Sequence, residues 1–434
     1  MPKLIVFSAD ALVYEDLEYL RTLPNFKRYL SGGAEIKSVR TIYPSVTYPV
    51  HMSITTGNWP DRHGVVSNFI FTPGVLTLPW YFQRPDAHVK CGDIFDAAKK
   101  AGLSTAAVFW PVTGNHPSID YLVDECWTYN PGEKMRDIFK AAGSTEPMLD
   151  ITEKYAGYDE RQHPSQDKFV INCACDIIRQ FNPDVVMIHP ANVDGYRHQY
   201  GLFNEKVARG VEETDQWIGR VMEAAESTGS ARDMAFFLIS DHGQIDIKRI
   251  ININVPLADY GLIRYDDQGK LIDWDAYSLS NGMSALVFLK NPDDPLLYKK
   301  THALLRSLCD EGIYGISQVF TEPEIRNKER LGGDFSFVLE TDGYTAFGDD
   351  WKRPLIKNFD HRDYRYGNAT HGYLPDKGPQ PVLLAKGKGI RNGVVLEKRN
   401  IIDEAPTFAK LLGIPLPEAE GKCIDEILEG KNGE

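Results

Sequence analysis

The chain lacks an apolar run of about 18 residues, so no segment is expected to span a bilayer as a helix. It lacks a CxxC pair. Its six cysteines are Cys91, Cys126, Cys173, Cys175, Cys309 and Cys423. Cys173 and Cys175 stand too close for a zinc knuckle, so reduced, mostly buried thiols are expected. Positive charge is scarce: 48 Lys and Arg face 61 Asp and Glu, a formal net charge of −13. That excludes broad binding to nucleic acid or to an anionic membrane. The opening "MPKLIVFSAD" lacks the basic start, apolar stretch and small-residue cleavage site of a signal peptide. With Met1 as the start, the expected location is cytoplasmic. No internal repeat or low-complexity tract interrupts the sequence, and oligomeric state is not written in it.

Short apolar runs alternate with helical patterns along the chain. Leu4–Ser8 reads as a buried strand with Asp10 just beyond it, and a helical pattern follows over about 15–30. Cys91–Leu103 reads as a helix ended by Gly102, followed by the strand "STAAVFWP". Asp167–Phe181 is helical, Asp184–His189 a strand, and Val207, Val211, Ile218 and Met222 keep helical spacing. Met234–Ser240 and Pro381–Ala385 read as strands, and "APTFAKLLGI" as a helix. This alternation predicts an α/β fold with a mostly parallel central sheet covered by helices on both faces. Residues 250–363 break the rhythm with "SALVFL", a helix over about 296–309 and "FSFVLE". They read as an inserted α+β cap, leaving 1–249 and 364–434 as the catalytic domain.

In such sheets, ligands bind beyond the carboxyl ends of the strands. Asp10, Asp194 and Asp241 all lie at or just after expected strand ends. Asp194 and His198 are four apart in "ANVDGYRHQYG", Asp241 and His242 are adjacent in "ISDHGQ", and His371 precedes a Gly in "NATHGY". Carboxylate and imidazole together suit a borderline divalent ion such as Zn²⁺. Three Asp and three His are enough for two such ions. The stretch "TIYPSVTYPVHMSITTG" offers eight hydroxyls. Pro49 suits a first helical turn, which places Thr47 at or just before a helix N-terminus, where phosphate is favoured.

The order Asp10, Thr47, Asp194/His198, Asp241/His242, His371 resembles the alkaline phosphatase superfamily. Within it the chain is most similar to the nucleotide pyrophosphatase/phosphodiesterase branch, through "TYPVHMSITTGNWPDRHGVVSN" and Phe109-Trp110-Pro111. The resemblance implies an alkaline phosphatase-like fold and a two-metal site, with zinc as the expected metal and Mn²⁺ as the alternative. Asp10, Thr47, Asp241 and His242 would surround one ion, and Asp194, His198 and His371 the other. Thr47 would be the nucleophile, forming a covalent phospho-Thr47 intermediate, and Asn68 would donate to a phosphoryl oxygen. The sequence departs from the branch at Ala11, often Gly, at Val50, often Asn, at Ala-Asn-Val before Asp194, often containing Glu-Pro, and at Arg197, often Gly. Arg197 is expected to point to solvent, with substrate contact as the alternative.

The implied reaction is hydrolysis of a small-molecule phosphodiester or nucleotide pyrophosphate bond. Tyr48, Trp110 and Tyr158 are candidate substrate-binding residues, with Trp80 and Tyr81 as further aromatics. For Tyr48 the alternative is core packing beneath the helix start. A phosphomonoesterase would need extra charge around the phosphate that the sequence does not reveal. Phosphonoacetate hydrolase resembles the same branch and would need cations for a carboxylate, for which Arg84 and Lys90 are available. A sulfatase lacks support without a CxPxR-type motif, and phosphoglycerate mutases of the superfamily usually use Ser. A metal-stabilised binding protein without catalysis is the rival from another class. His51 and His63, near the nucleophile, read as structural.

Overall fold

The computed structural model describes residues 2–75, 80, 84–360 and 365–430. Eight strands form the central sheet: β1 Lys3–Ser8, β2 Ala34–Arg40, β3 Thr105–Val108, β4 Tyr121–Val123, β5 Val185–Ile188, β6 Met234–Ile239, β7 Leu383–Gly387 and β8 Val395–Asn400. Their order is β8-β2-β7-β6-β1-β5-β3-β4. Only β7 runs antiparallel to its neighbours, β2 and β6. The sheet is therefore mostly parallel, as the alternating pattern predicts.

The central strands are apolar throughout because both faces are covered. Ile5, Phe7, Val186, Ile188, Phe236 and Leu238 face one core, packed by the helices Ser165–Phe181 and Glu205–Ser227. Their neighbours Leu4, Val6, Val185, Met187, Phe237 and Ile239 face the other, under the helices Thr47–Thr56, Ile94–Lys100 and Glu404–Leu412. The period of two in side-chain direction is what splits the runs between two cores.

Register then determines what meets at the strand ends. Phe7 pairs with Ile188 and Ser8 with Ile239. The chain therefore leaves β1, β5 and β6 side by side at one edge, delivering Asp10, His189 and Asp241 to one place.

Several boundaries differ from expectation for local reasons. The helical pattern over 15–30 is broken into Tyr14–Asp16, Leu17–Leu20 and Pro24–Tyr29, because Pro24 cannot continue a helix and instead starts one. Asp93 shortens the next helix to Ile94–Lys100, its carboxylate accepting from the Asp96 N–H at 3.0 Å. The strands β2 and β8, at one side of the sheet, carry too many charged residues to stand out as apolar runs.

A second, antiparallel sheet runs Ala276–Ser280, Ser284–Leu289, Phe337–Thr341, Ile316–Thr321 and packs against the helix Pro295–Asp310. Its first turn leans on the His371 segment, with the Met283 N–H donating to the His371 carbonyl at 2.9 Å. Gly372 has φ +98°, and a Cβ there would lie 1.8 Å from the Asn281 carbonyl oxygen, so only glycine allows this approach. All six cysteines are unpaired. Among the described residues, no helix is long and apolar enough to cross a membrane.

Asp93 also anchors a buried ion cluster. Its Oδ2 lies 2.7 Å from Arg84 Nη1 and 3.0 Å from His116 Nε2. Burial alone would raise this carboxyl; His116 and Arg84 outweigh burial and hold it well below the usual range. A depressed carboxyl stabilises the fold above its unfolded pKa of about 3.9, and the contribution fades as pH falls below that. Asp93→Asn is therefore expected to cost about 3 kcal/mol at neutral pH in denaturant titrations. The gap to the unsubstituted chain is expected to narrow from about pH 4 downward.

Candidate active site

Thr47 is the first residue of its helix, behind the extended Val46. The Asn68 carbonyl oxygen accepts from the Tyr48 N–H at 2.8 Å, which leaves the Asn68 NH₂ for another partner. Val46, Thr47, Tyr48 and Asn68 line a cavity of about 360 Å³. Asp10, Asp194, His198 and His371 line the same cavity. The helix therefore presents its N-terminal end and a hydroxyl to a recess walled by acids and imidazoles.

Two ligand groups meet there. Asp194, His198 and His371 bring one donor atom each within 4.8 Å of one another, and so do Asp10, Asp241 and His242. Thr47 Oγ1 lies 3.3 Å from His242 Nε2. The structure thus brings together every residue expected at the metals and the nucleophile. Two further groups meet the same distance test among the described residues: His51, His189 and Asp241, which shares Asp241 with the second group, and Asp93, Asp96 and His116, which lie away from this cavity and are closed by Arg84.

Neighbouring groups fix how these donors point. The His198 Nδ1 faces the Ala369 carbonyl at 2.7 Å and the His371 Nδ1 faces the Ser45 carbonyl at 3.1 Å. A carbonyl only accepts, so both rings donate from Nδ1 and turn Nε2 toward Asp194, at 3.3 Å for His198 and 3.9 Å for His371. Gln244 Nε2 donates to the Asp194 carbonyl at 3.1 Å and to its Oδ1. The Ala11 N–H donates to Asp241 Oδ1 at 3.1 Å, which requires φ +55° at Ala11, a conformation glycine adopts more easily.

His189 was not singled out in the sequence. Its Nε2 lies 3.0 Å from Asp10 Oδ2, and its Nδ1 faces the Phe109 carbonyl at 3.2 Å. With Nδ1 donating, one further proton must sit between His189 and Asp10. The only sequence signal was its place at a strand end.

The electrostatics favour a cation. Three carboxylates converge out of solvent. Burial, then Asp241 and Asp194, push the Asp10 carboxyl far above its usual value. Burial pushes Asp241 up to about 6 and lowers His242 to about 4. Asp10 Oδ1, Asp241 Oδ2 and His242 Nδ1 are buried without a hydrogen-bond partner. Orphaned carboxylate oxygens in a converging mixed O/N donor set fit a divalent ion.

The remaining sequence candidates separate. Tyr48 lines the cavity and packs its ring 5.4 Å from Trp80, which also lines it. Trp110 does not reach the cavity: it is core, edge-on to His51 at 4.8 Å. Tyr158 does not reach it either, stacking on Phe169 at 4.0 Å. Tyr81 lies outside the described residues. Arg197 does not point to solvent; it is fully buried, with Nη2 donating to Asp16 Oδ1 at 2.7 Å. That ion pair ties the helix carrying Asp194 and His198 to the loop after Asp10. His51 is buried, its Nδ1 donating to the Thr47 carbonyl at 2.8 Å and its Nε2 accepting from Ser8. His63 is held between Ser53 and the Val65 N–H. Both are structural, as read from the sequence. Glu125, Trp127, Tyr129, Arg161, Arg365 and Tyr366 also line the cavity without having been singled out.

The sequence profile of the family described as type I phosphodiesterase / nucleotide pyrophosphatase matches residues 4–372. Human ectonucleotide pyrophosphatase/phosphodiesterase family member 1 is 25% identical over 275 residues, covering 59% of this chain and 25% of that protein. Venom phosphodiesterase of Macrovipera lebetinus is 24% identical over 409 residues, covering 89% of this chain and 40% of that one. This chain thus spans a quarter to two fifths of the length of these two relatives. Among solved structures, murine ectonucleotide pyrophosphatase/phosphodiesterase 5, an inactive variant in complex with AMP, superposes with a TM-score of 0.65. It is 16% identical, with 99% of this chain and 100% of that one covered. The human counterpart gives a TM-score of 0.67 at 16% identity, with 99% and 100% covered. These likenesses are of fold.

If the acids converge to hold cations, removing cations should expose their repulsion. Chelation is expected to lower the thermal midpoint, and Zn²⁺ or Mn²⁺ to restore it, by about 2.7 kcal/mol at a hundredfold excess over Kd. Asp10→Asn is expected to raise the metal-free midpoint and to shrink the metal-induced rise, both read by differential scanning fluorimetry.

Proposed function

The chain belongs to the type I phosphodiesterase / nucleotide pyrophosphatase family, a family of hydrolases, and we propose that it cleaves a phosphodiester or pyrophosphate bond through a covalent intermediate on Thr47. One observation carries this reading: a helix-initiating hydroxyl meets two three-residue ligand groups, Asp194, His198, His371 and Asp10 lining its cavity and His242 lying 3.3 Å from Thr47 Oγ1. In the proposal, Asp10, Thr47, Asp241 and His242 hold one divalent ion and Asp194, His198 and His371 the other. The mixed carboxylate–imidazole set suits zinc, with Mn²⁺ as alternative. Bound there, such ions would lower the pKa of the Thr47 hydroxyl and neutralise phosphoryl charge.

The chain's own groups do the rest. Thr47 Oγ attacks phosphorus in line, and the leaving oxygen departs on the opposite side. The Asn68 NH₂ and the Thr47 N–H at the helix start donate to the non-bridging oxygens, the Tyr48 and Val50 N–H groups being held by Asn68 and the Val46 carbonyl. Water then attacks phosphorus from the side the leaving group vacated, the P–Oγ bond to Thr47 breaks, and a proton from water returns to the Thr47 oxygen. Two inversions give net retention at phosphorus.

A diester needs room for a second substituent. Tyr48, Phe69, Trp80 and Trp127 form an aromatic wall beside Thr47, with Phe69 4.5 Å and Trp127 5.1 Å from Trp80. A flat or partly apolar substituent suits such a wall. Asn281 and Gly282 also line the cavity, which supports reading 250–363 as a cap over the site. Six unpaired thiols fit a reducing compartment.

A second reading rests on two guanidiniums. Arg161 lies over Trp127 at 5.0 Å and Arg365 over Phe69 at 4.2 Å, both lining the cavity. Arg365 is already paired with Asp349 at 2.7 Å, so a second anionic group, such as the carboxylate of a phosphonate, would have to share it or meet Arg161. Arg84 and Lys90, the cations available from the sequence, do not line it: Arg84 is bound to Asp93 and Lys90 lies against Gly64.

Thr47→Ala is expected to lower kcat/KM for p-nitrophenyl-TMP by at least about 10³-fold, with Thr47→Ser retaining part of the rate. Undiminished turnover by Thr47→Ala would exclude the covalent route. Turnover of phosphonoacetate but not of p-nitrophenyl-TMP would favour the second reading.

A further inference from the structure

Glu340 is a fully buried carboxyl on an inner strand of the second sheet, Phe337–Thr341. Its neighbours Val338 and Leu339 are core. A carboxyl out of solvent is costly unless hydrogen bonds meet its oxygens. Here the partners come from outside that sheet. The Tyr43 hydroxyl donates to Oε2 at 2.8 Å. The Leu374 N–H donates to Oε1 at 3.1 Å, and Lys377 Nζ lies 2.8 Å from the same oxygen. Burial raises this carboxyl, and Lys377, Leu374 and Tyr43 oppose the rise. The contacts do not depend on its ionisation. A proton on Oε2 would be donated to the Tyr43 oxygen, since a phenol both donates and accepts.

The partners sit on the two loops that carry reacting groups. Tyr43 comes four residues before Thr47, and Leu374 three residues after His371. Tyr43 is itself fully buried, packed in one cluster with Leu286 and Val338 of the second sheet. The loops are also bonded to each other. Ser45 Oγ donates to the Tyr373 carbonyl at 2.9 Å and accepts from the Gly372 N–H at 3.2 Å. The Ser45 carbonyl accepts from His371 Nδ1 at 3.1 Å. Glu340 therefore closes a knot whose other members lead directly to Thr47 and His371.

We infer that Glu340 is a positioning residue, which from the second sheet fixes Thr47 and His371 relative to each other. The inference rests on the roles proposed above for those two residues, and it makes the segment read as a cap a brace for the site. Glu340, Tyr43 and Lys377 do not line the cavity. They act through the loops and not on the substrate.

The test compares Tyr43→Phe, Glu340→Leu and Glu340→Gln in the full chain. Tyr43→Phe deletes a single hydroxyl and carries the test if Glu340→Leu does not fold. Two quantities are read: hydrolysis of p-nitrophenyl-TMP per folded, zinc-loaded molecule, and calorimetric zinc binding to the metal-free protein. Tyr43→Phe and Glu340→Leu are expected to lower kcat about tenfold to hundredfold with KM within about twofold. Both are expected to weaken, by about tenfold or more, the one zinc that His371→Ala also loses. A general loss of stability would not single out one of two ions. Glu340→Gln is expected to stay within about threefold in both quantities, because its amide still accepts from Leu374 and Lys377 and donates to Tyr43.

If the unsubstituted chain binds zinc but hydrolyses no diester, the proposed reaction falls, while selective weakening of that zinc in the two variants upholds the brace. If the unsubstituted chain turns over and both variants keep kcat and both zinc affinities within about twofold, the reaction stands and the brace is overturned.

Discussion

The repulsion among Asp10, Asp194 and Asp241 is the constraint around which this molecule is organised. Three carboxylates out of solvent, each almost fully covered, are unfavourable unless positive charge is supplied. Nearby lysines or arginines do not supply it: the buried Arg197 is turned toward Asp16. Burial would raise the Asp194 carboxyl, but His198 and His371 outweigh it and hold that carboxyl well below the usual range, while Asp10 and Asp241 are pushed up. What remains is a site built to be completed by cations. On the proposed reading, the same convergence would reconcile a chain of net charge −13 with an anionic substrate, because the acids would face ions rather than the phosphate.

The fold delivers that convergence through parallel register. The strands β1, β5 and β6 are neighbours, so their carboxyl ends open onto one edge. From there the helix Asn192–Tyr200 carries Asp194 and His198, and the Arg197–Asp16 pair fastens it to the loop after Asp10. Gly372 lets the second sheet press against the His371 segment. Thr47 is placed by a separate device, the Asn68 side chain at the start of its helix. Backbone placement and hydrogen bonds to neighbouring groups therefore orient the donors before any ion arrives, which is what a preorganised site requires.

Much of this was legible in the sequence, and the reasons are specific. Strands buried on both faces are continuous apolar runs, so β1, β5 and β6 and the acids at their ends could be read directly. Pro49 marked the helix start that sets Thr47. The resemblance supplied the joint ligand set that no single pair justified. What could not be read is where long side chains turn. Trp110 and Tyr158 look like wall residues and are core, while Trp127 and Tyr129 looked unremarkable and line the cavity. Arg197 looked solvent-bound because its partner Asp16 lies 181 residues away. Glu125 sits in a short segment with no periodicity to flag it, yet it lines the cavity.

The central claim is that this cavity holds two divalent ions between the two ligand groups, one of them beside Thr47. Anomalous X-ray diffraction at the zinc edge, on crystals grown with Zn²⁺, tests it directly. The account predicts two peaks, one among Asp10, Thr47, Asp241 and His242 and one among Asp194, His198 and His371. Crystals that bind zinc elsewhere while leaving both positions without anomalous signal would contradict it.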